Sequence, residues 1–205
     1  MTASRFLAPI PVNAPSLSEL LKLKLPGAVL GAHAWRGDET VTVRPENLLE
    51  AARLLKEDPG FQMNFLMDLT AVDYQTFGKT LRGQGAHANT GIAVRQPMDV
   101  PTEEPWPGPA TAARFEVVYH FFSLPLNRRI RLKVPVEESR AEVDSLVPLW
   151  AAANWFEREV WDMYGIRFRG HPDLKRILMC AEFEGHPLRK DYPVNKRQPL
   201  IGPVN

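Results

Sequence analysis

Residues 157–178 carry the clearest pattern in the chain: Glu-Arg-Glu-Val-Trp-Asp-Met-Tyr-Gly-Ile-Arg-Phe-Arg-Gly-His-Pro-Asp-Leu-Lys-Arg-Ile-Leu. Apolar side chains recur at helical spacing around its first half and predict an amphipathic helix; they are Phe156, Val160, Met163 and Tyr164. We expect Asn154 to cap this helix, with Glu157 at its favourable positive end. Gly165 is well placed as the left-handed residue that ends it.

The chain before this helix alternates helix and strand signals. A capping-box spacing at 16–19 predicts a short helix that ends near 26–27, and Pro45 suits the first position of a second helix that stops near 58–60. Further helical character is predicted at 144–150. Strand propensity is concentrated in residues 29–35, 40–43, 61–73, 114–122 and 128–134. In the last of these, charged and apolar residues alternate, which predicts one core face and one basic face.

Three stretches lack such periodicity. We interpret residues 1–15 as a loose N-terminal arm and residues 75–113, rich in glycine and proline, as a long surface loop inside the domain 16–178. Residues 179–205 read as an extended, proline-containing tail that has little capacity to fold alone. We therefore expect 186–205 to be unfolded in the free subunit.

Composition bounds the function. The 205 residues have a formal net charge of +1 and a 44% hydrophobic share, which suits one domain and gives no field that favours nucleic acid. The single cysteine cannot hold an iron–sulfur cluster or form an internal disulfide, and we expect it to be a small buried thiol. No signal peptide or membrane-spanning run is recognised, so we expect a soluble chain that reaches a membrane only through a partner.

Catalytic motifs are weak. Gly78-Lys79-Thr80 resembles the end of a phosphate-binding loop, but Asp73 stands where that motif needs glycine. No glycine-rich dinucleotide fingerprint or nucleophile elbow is present. His171 and His186 are the sharpest metal-ligand candidates, yet their spacing matches no metal signature and each precedes proline, which favours a structural turn. A stand-alone metal-dependent enzyme that uses them with nearby acids stays open as an alternative; those acids are Glu157, Glu159, Asp162 and Asp173.

Charge is divided between the helix and the tail. Residues 137–164 contain seven acidic and two basic residues, whereas residues 165–205 contain eight basic and four acidic residues. An acid–base role for the helix is the less favoured reading. Glu159 and Asp162 are better placed to hold arginines such as Arg176 or Arg189. The basic tail therefore either pairs with the acidic helix or reaches an acidic partner.

Residues 157–178 closely resemble the signature of the 30-kDa (NuoC) family of the NADH:quinone oxidoreductase, respiratory complex I. A second block, Glu184-Gly-His-Pro-Leu-Arg-Lys-Asp-Tyr-Pro193, resembles the tail motif of the same family at the expected distance. The similarity extends more loosely through 114–134 and 61–74. Departures are Trp161, where tyrosine or phenylalanine is expected, the connector 179–181, and the long loop.

The resemblance implies an α+β fold in which a mixed sheet packs against helices in two layers. It implies no cofactor and no catalytic residue in this chain, since FMN, iron–sulfur clusters and quinone belong to partner subunits. The implied partners are the hydrogenase-large-subunit-like quinone-site subunit, the terminal iron–sulfur subunit and the ferredoxin-like iron–sulfur subunit. The implied location is the cytoplasmic face of the bacterial inner membrane. The tail would lie across these neighbours and take its order from them.

The resemblance also assigns roles. Expected charged anchors of the tail or interface are Arg158, Arg176, Arg189 and Lys190, and their expected counter-charges are Glu159, Asp162, Asp173 and Asp191. Expected turn-formers or signature positions are Glu157, Gly165, His171, Pro172, Gly185, His186, Pro187 and Pro193. Candidate buried anchors are Trp155, Trp161 and Tyr192. Related ferredoxin-driven or hydrogenase-type membrane complexes carry the same kind of subunit, so the same role in such a complex is the alternative.

Overall fold

A computed structural model describes residues 15–76 and 109–198. The three α-helices are α1 (Leu17–Lys24), α2 (Leu48–Glu57) and α3 (Ala153–Tyr164). The strands are β1 (Val29–Trp35), β2 (Asp38–Val43), β3 (Phe65–Asp73), β4 (Phe115–Ser123), β5 (Arg128–Val136), β6 (Glu142–Asp144) and β7 (Arg167–Arg169). Short 3-10 helices occupy Pro45–Asn47 and Glu138–Arg140. The predicted N-terminal arm through 14, residues 77–108 of the predicted loop, and the tail beyond 198 lie outside the described residues.

Five strands form one mixed sheet in the order β1-β2-β5-β4-β3. Strands β2 and β5 are parallel, and the other neighbours are antiparallel. Residues directly opposite one another face the same side of a sheet. One such row across the sheet is entirely apolar and consists of Ala32, Val41, Leu132, Tyr119 and Leu69. Along β5, buried apolar residues alternate with partly exposed charged residues as far as Val134. This alternation confirms the prediction that β5 has one face in the core.

The helices cover this apolar face. Their buried side chains, such as Leu21 of α1, Leu55 of α2 and Val160 of α3, join the same hydrophobic cluster as Val41 and Leu132. Trp150 closes the cluster near the start of α3: its ring lies 4.8 Å from that of Phe121 and its indole nitrogen donates to the carbonyl of Met63. The predicted two-layer α+β fold with a mixed sheet is confirmed.

Two local predictions are wrong. Residues 144–150 are not a helix, because β6 extends to Asp144 and pairs with β7, and Pro148 lacks the amide that a helix interior needs. Asn154 is not the cap of α3. The helix begins one residue earlier, at Ala153, and its cap position, Ala152, makes no side-chain hydrogen bond. Glu157 therefore lies beyond the first turn and is buried.

The end of α3 positions the carboxyl-terminal segment. Gly165 adopts φ +78° as its C-cap, which confirms its predicted left-handed stop. The chain then forms β7, which pairs in parallel with β6 and brings residues after 169 back along α3. Beyond β7 the described residues form turns and bends without a helix or strand. The order of this segment therefore depends on side-chain contacts.

The central apolar row generates a stability prediction. Leu132 lies in the middle strand with no exposed surface, whereas Leu23 of α1 is 77% exposed. Leu132→Ala should lower the free energy of unfolding by about 2–5 kcal/mol, because it removes buried contacts and leaves a cavity. Leu23→Ala should change it by less than about 0.5 kcal/mol. Denaturant unfolding of both variants checks this, and equal losses would contradict the assigned core.

Candidate interaction site of the carboxyl-terminal segment

Asp162, near the end of α3, is the first anchor of the segment. Its side chain is fully buried and forms an ion pair with Arg176. Its Oδ2 accepts the backbone N–H groups of Ile177, Leu178 and Met179 at 3.1, 2.9 and 2.9 Å. Burial alone would raise the pKa of Asp162, but the three amides and the guanidinium outweigh it, so the pKa is lowered. The carboxylate is thus held ionised and ties residues 176–179 to the helix.

Gly165 and His186 meet directly at the same helix end. The His186 Nδ1 donates to the carbonyl of Asp162 at 2.9 Å. A Cβ placed on Gly165 would lie 2.7 Å from two atoms of the imidazole ring, so a side chain at 165 would collide with His186. The next turn is fixed by a backbone bond from the Leu188 N–H to the carbonyl of Met163. The two signature blocks are therefore in contact.

Arg176 links the helix to the second signature block. Its Nη2 donates to the carbonyls of Phe183 and Gly185 at 2.9 and 3.1 Å, and its guanidinium lies over the Trp161 ring. The Phe183 and Tyr192 rings stack with centroids 6.0 Å apart. Gly185 has φ +97°, and a Cβ there would lie 2.9 Å from the ring of Tyr192. Glycine at this position lets the aromatic pair close.

Asp73, at the end of β3, is the second anchor. Its buried carboxylate receives Arg114 in a bidentate manner, Nε to Oδ1 at 3.1 Å and Nη2 to Oδ2 at 2.9 Å. It also accepts the Lys190 backbone N–H at 2.8 Å. Arg114 reaches Asp191 as well, at 2.8 Å. Burial raises the pKa of Asp73, but these hydrogen bonds outweigh it and the net shift is downward.

Arg189 and Glu138 extend this second anchor. Arg189 Nη2 donates to Glu138 Oε1 at 2.8 Å, and Glu138 is also paired with Arg114. The Arg189 guanidinium lies 5.2 Å from the centre of the Phe115 ring at the start of β4. Sequence reasoning missed Asp73, Arg114 and Glu138 as contributors. Asp73 and Arg114 are 41 residues apart and meet through the pairing of β3 with β4, whereas Arg114 and Glu138 are 24 residues apart and meet through the pairing of β4 with β5.

Glu157 is buried and forms no ion pair with any residue in 15–76 or 109–198. Its Oε1 accepts the Leu146 N–H at 2.6 Å and its Oε2 accepts the Ser145 hydroxyl at 2.7 Å. Burial raises the pKa of Glu157 to about 7, although both hydrogen bonds act in the opposite direction. The Tyr119 hydroxyl is also buried, without a hydrogen-bond partner among the described residues. Burial, and then the charge of Glu157, raise the pKa of Tyr119. Glu157 holds the 145–147 turn beneath α3 rather than serving as the predicted first-turn acid.

His171 and Arg158 hold the turn after β7. Because His171 Nδ1 accepts the Asp173 N–H at 3.0 Å, its Nε2 carries the proton that is donated to the carbonyl of Asn154 at 3.1 Å. Arg158 donates to the carbonyls of Lys175 and Arg176, both at 3.1 Å, and lies over the ring of Trp155. These contacts are to backbone groups, so Arg158 does not use the carboxylates expected for it.

The remaining signature residues are more peripheral. Trp155 is 63% exposed, so its predicted burial would require a partner. Asp173 pairs with Lys175, and the Glu159 side chain is exposed without an ion pair among the described residues. The cysteine expected to be buried, Cys180, is exposed because it follows the turn tied to Asp162. Pro172, Pro187, Lys190 and Pro193 are exposed or partly exposed, and the Lys190 side chain forms no ion pair with a described residue.

The described part of the tail, 179–198, is held by the chain's own domain through the Asp162 and Asp73 anchors. This differs from the expectation that its order comes from partners. In residues 15–76 and 109–198, no group of three or more histidine, cysteine, aspartate or glutamate residues is arranged to hold a metal. His171 and His186 instead bond backbone carbonyls, as the turn interpretation predicts. Interface roles for the signature residues stay predictions.

A family model described as "Respiratory-chain NADH dehydrogenase, 30 Kd subunit" matches residues 41–198, which include both anchors and both signature blocks. The chain belongs to this family. The C subunit of NADH-quinone oxidoreductase from Roseiflexus sp. (strain RS-1) is 42% identical over 180 residues, 88% of this chain and 84% of that protein. The resemblance of the two signature blocks is therefore confirmed, and the chain is a 30-kDa subunit of the complex I type.

Solved structures agree with this fold. The trypsin-resistant fragment (1-134) of Nqo5 is 28% identical with a TM-score of 0.54, and the match covers 76% of this chain and 95% of the fragment. A chain of the membrane-bound sulfane sulfur reductase, an archaeal respiratory membrane complex, has a TM-score of 0.58 at 20% identity over 86% of this chain and 84% of that one.

Within the described residues, none of the helices has the length and apolar character to cross a membrane.

The contact between Gly165 and His186 predicts a specific pattern of stabilities. Gly165→Ala should cost about 1–3 kcal/mol for the left-handed backbone, plus a further loss from collision with the imidazole. Gly170→Ala is the matched control, because Gly170 has φ +83° and nothing lies within 4 Å of an added Cβ. Denaturant unfolding should therefore show the larger loss for Gly165→Ala.

The additional loss of stability in Gly165→Ala, relative to Gly170→Ala, should be smaller when His186 is replaced by alanine, because the imidazole is then absent. A double-mutant cycle measures this coupling. If Gly165→Ala and Gly170→Ala cost the same with His186 present, the steric contact assigned to the imidazole is wrong.

The raised pKa of Glu157 predicts a pH-dependent stability. Between its ordinary value of 4.5 and about 7, the unfolded chain releases the proton while the folded chain retains it. The contribution of Glu157 to the free energy of unfolding should therefore fall as pH rises through this window. Glu157→Gln should lack that contribution. Urea unfolding of both proteins at pH 5 and pH 8 measures the contribution of Glu157 as the difference between their pH responses. Equal pH responses of the two proteins would contradict the raised pKa of Glu157.

Proposed function

We propose that this chain is a non-catalytic structural subunit of the peripheral arm of proton-translocating NADH:quinone oxidoreductase. That enzyme passes electrons from NADH through flavin and iron–sulfur centres to quinone and couples the transfer to proton pumping. The family match over residues 41–198 supports the assignment to the complex. The role of this chain is to position the quinone-site subunit and the terminal iron–sulfur subunit.

The contacts of the carboxyl-terminal segment carry the positional part of the proposal. The buried carboxylates of Asp162 and Asp73 bind backbone amides and arginines of this chain, and both are held ionised. A segment without helix or strand is thereby fixed against a rigid sheet. It presents apolar side chains outward: Leu178 is 56% exposed, Leu188 48% and Val194 fully exposed. Exposed apolar residues on an ordered segment are typical of a protein interface.

Cofactors and membrane contact belong to the partners in this proposal. FMN and the iron–sulfur clusters lie in other subunits, among them the ferredoxin-like subunit, and quinone binds the hydrogenase-like subunit. The chain lies at the cytoplasmic face of the bacterial inner membrane and is attached through the complex. The same role in a ferredoxin- or hydrogenase-type complex is the second candidate, since the fold is shared with a chain of the archaeal membrane complex at a TM-score of 0.58.

Affinity purification from detergent-solubilised native membranes, with the tag on this chain, tests the proposal. Co-purification of the quinone-site, iron–sulfur and NADH-binding subunits, with NADH:quinone activity, is the expected outcome. Recovery with ferredoxin-coupled or hydrogenase-type subunits would assign the chain to the second candidate. Recovery of this chain alone at low salt would overturn the positional role.

Replacing Arg189 separates positioning from chemistry. Arg189→Ala removes the ion pair with Glu138 and the contact with Phe115, so the segment around 189–192 should loosen. The yield of assembled complex should fall several-fold while NADH:quinone turnover per assembled complex stays unchanged. The control is Arg53→Ala, at an exposed position of α2. Complete assembly of the Arg189→Ala complex with slowed turnover would contradict a purely positional role.

A further inference from the structure

The side of the main sheet that faces away from the helices is polar. We call it the open face, and its central row consists of His33, Thr40, Arg131, His120 and Asp68, which lie opposite one another on five strands. The three described helices bury their side chains on the other side, in the cluster that contains Leu132. Among the described residues, no helix covers the open face.

Arg131 differs from the other cations of the open face. Arg129 is paired with Asp38 at 2.5 Å, and Lys133 is paired with the buried Glu116 at 2.9 Å. Arg131 makes no ion pair with a described residue; it donates only to the Thr40 hydroxyl, at 3.1 Å. The guanidinium has five N–H donors, so most of its hydrogen-bonding capacity is not used by the described residues.

The two histidines of the row add neutral donors beside this cation. Burial lowers the pKa of His33, and the nearby Lys133 and Arg131 lower it further. Burial and then Arg131 likewise lower the pKa of His120. Both imidazoles are therefore uncharged at neutral pH. An incoming anion would meet the charged guanidinium of Arg131 and two neutral rings, while the exposed Asp68 lies at the end of the row, beyond His120.

A hollow of about 70 Å³ opens next to Arg131. Its charged lining residues are Asp38, Glu39, Arg129 and Arg131, with Met67 and His120 beside them. Both acidic residues already have partners, Asp38 in Arg129 and Glu39 in Arg128 and the backbone amides of α1. The volume suits one side-chain head group and is too small for a nucleotide. Because Asp38 is already paired with Arg129, Arg131 is the cation in the lining that has no ion pair among the described residues, and its single charge matches a singly charged group better than a doubly charged phosphate.

Apolar side chains stand around the hollow. Phe65 is 47% exposed, Met67 44% and Trp35 44%. Phe65 lies opposite Phe122, which lies opposite Arg129, and Trp35 lies opposite Asp38, so Phe65 and Trp35 belong to the row next to the central one. Met67 lies at the register shift of β3 between Leu66 and Asp68. Aromatic residues, methionine and arginine are the side chains that are enriched at protein interfaces.

We propose that the open face docks a neighbouring subunit of the same complex, and that this neighbour inserts one aspartate or glutamate side chain into the hollow beside Arg131. The inference rests on the proposed function, because it requires the chain to be part of an assembly. Charge complementarity selects the occupant: a carboxylate fits the planar guanidinium in a bidentate manner. The partner's apolar residues cover Trp35, Phe65 and Met67, which a free anion would leave exposed.

Site-specific photo-cross-linking in the assembled complex tests this inference. A photoreactive amino acid replaces Met67 in the full chain, the complex is isolated from native membranes through a tag on this chain, and mass spectrometry identifies the cross-linked peptide. The expected peptide comes from another subunit and contains an acidic residue. Cross-links to residues 77–108 of this chain, to a second copy, or to no protein would overturn the proposal.

Charge substitutions provide the second readout. Arg131→Glu should lower the cross-link yield at least about tenfold, because it removes the guanidinium and repels the carboxylate. Arg131→Ala should lower it less, and keeps the test decisive if the glutamate variant fails to fold. Arg53→Glu, on the helical side of the sheet, is the matched control and should leave the yield unchanged. An unchanged yield in Arg131→Ala would overturn the proposal.

Co-purification of the other subunits is scored in the same samples. If they co-purify and no inter-subunit cross-link forms at Met67, the open-face inference fails while the proposed function stands. If no other subunit of a membrane complex co-purifies, the proposed function fails and the inference falls with it.

Discussion

The buried carboxylate of Asp162 is the interaction on which the carboxyl-terminal third of the structure depends. An acidic side chain near the C-terminus of a helix is unfavourable, because the helix dipole is negative there. Asp162 is nevertheless ionised and buried, since three backbone amides and the Arg176 guanidinium donate to it. Hydrogen bonds to a charged group contribute about 1.5–3 kcal/mol each, enough together to outweigh the dipole and the burial. The chain after 175 is consequently tied to α3.

A segment without helix or strand needs such anchors. Fixing each residue costs about 1–2 kcal/mol of backbone entropy, and the segment contributes little apolar burial of its own to offset that cost. The structure holds it at two places, Asp162 at the end of α3 and Asp73 at the end of β3, with Gly165 and His186 in contact between them. The two anchors belong to different layers of the domain, so the segment is attached to both the helix layer and the sheet layer.

The domain presents two surfaces that differ in physical character. The anchored segment presents isolated apolar side chains on irregular backbone, whereas the open face presents a regular row of polar groups around Arg131. A protein that carries both can contact two neighbours at once through a rigid body. That property supports the proposed role of the chain in positioning neighbouring subunits of a multi-subunit oxidoreductase.

The sequence by itself determined the family, most of the strands and helices, and the end of α3, because these depend on local periodicity, on glycine conformation and on two contiguous signature blocks. It also indicated that Glu159 and Asp162 hold arginines such as Arg176 or Arg189, and the structure pairs Asp162 with Arg176, 14 residues away. It placed the cap of α3 at Asn154, whereas the helix begins at Ala153. It also placed a helix at 144–150, where Asp144 pairs with Arg169 in the β6–β7 ladder and Pro148 lacks the amide that a helix interior needs.

Only the tertiary structure decided which groups hold the segment and which charged groups have no ion pair among the described residues. Asp73 and Lys190 are 117 residues apart along the chain, and Arg131 has no such ion pair because its opposite neighbours are Thr40 and His120 rather than acids. Such pairings are set by strand order and register, and no local pattern of residues encodes them.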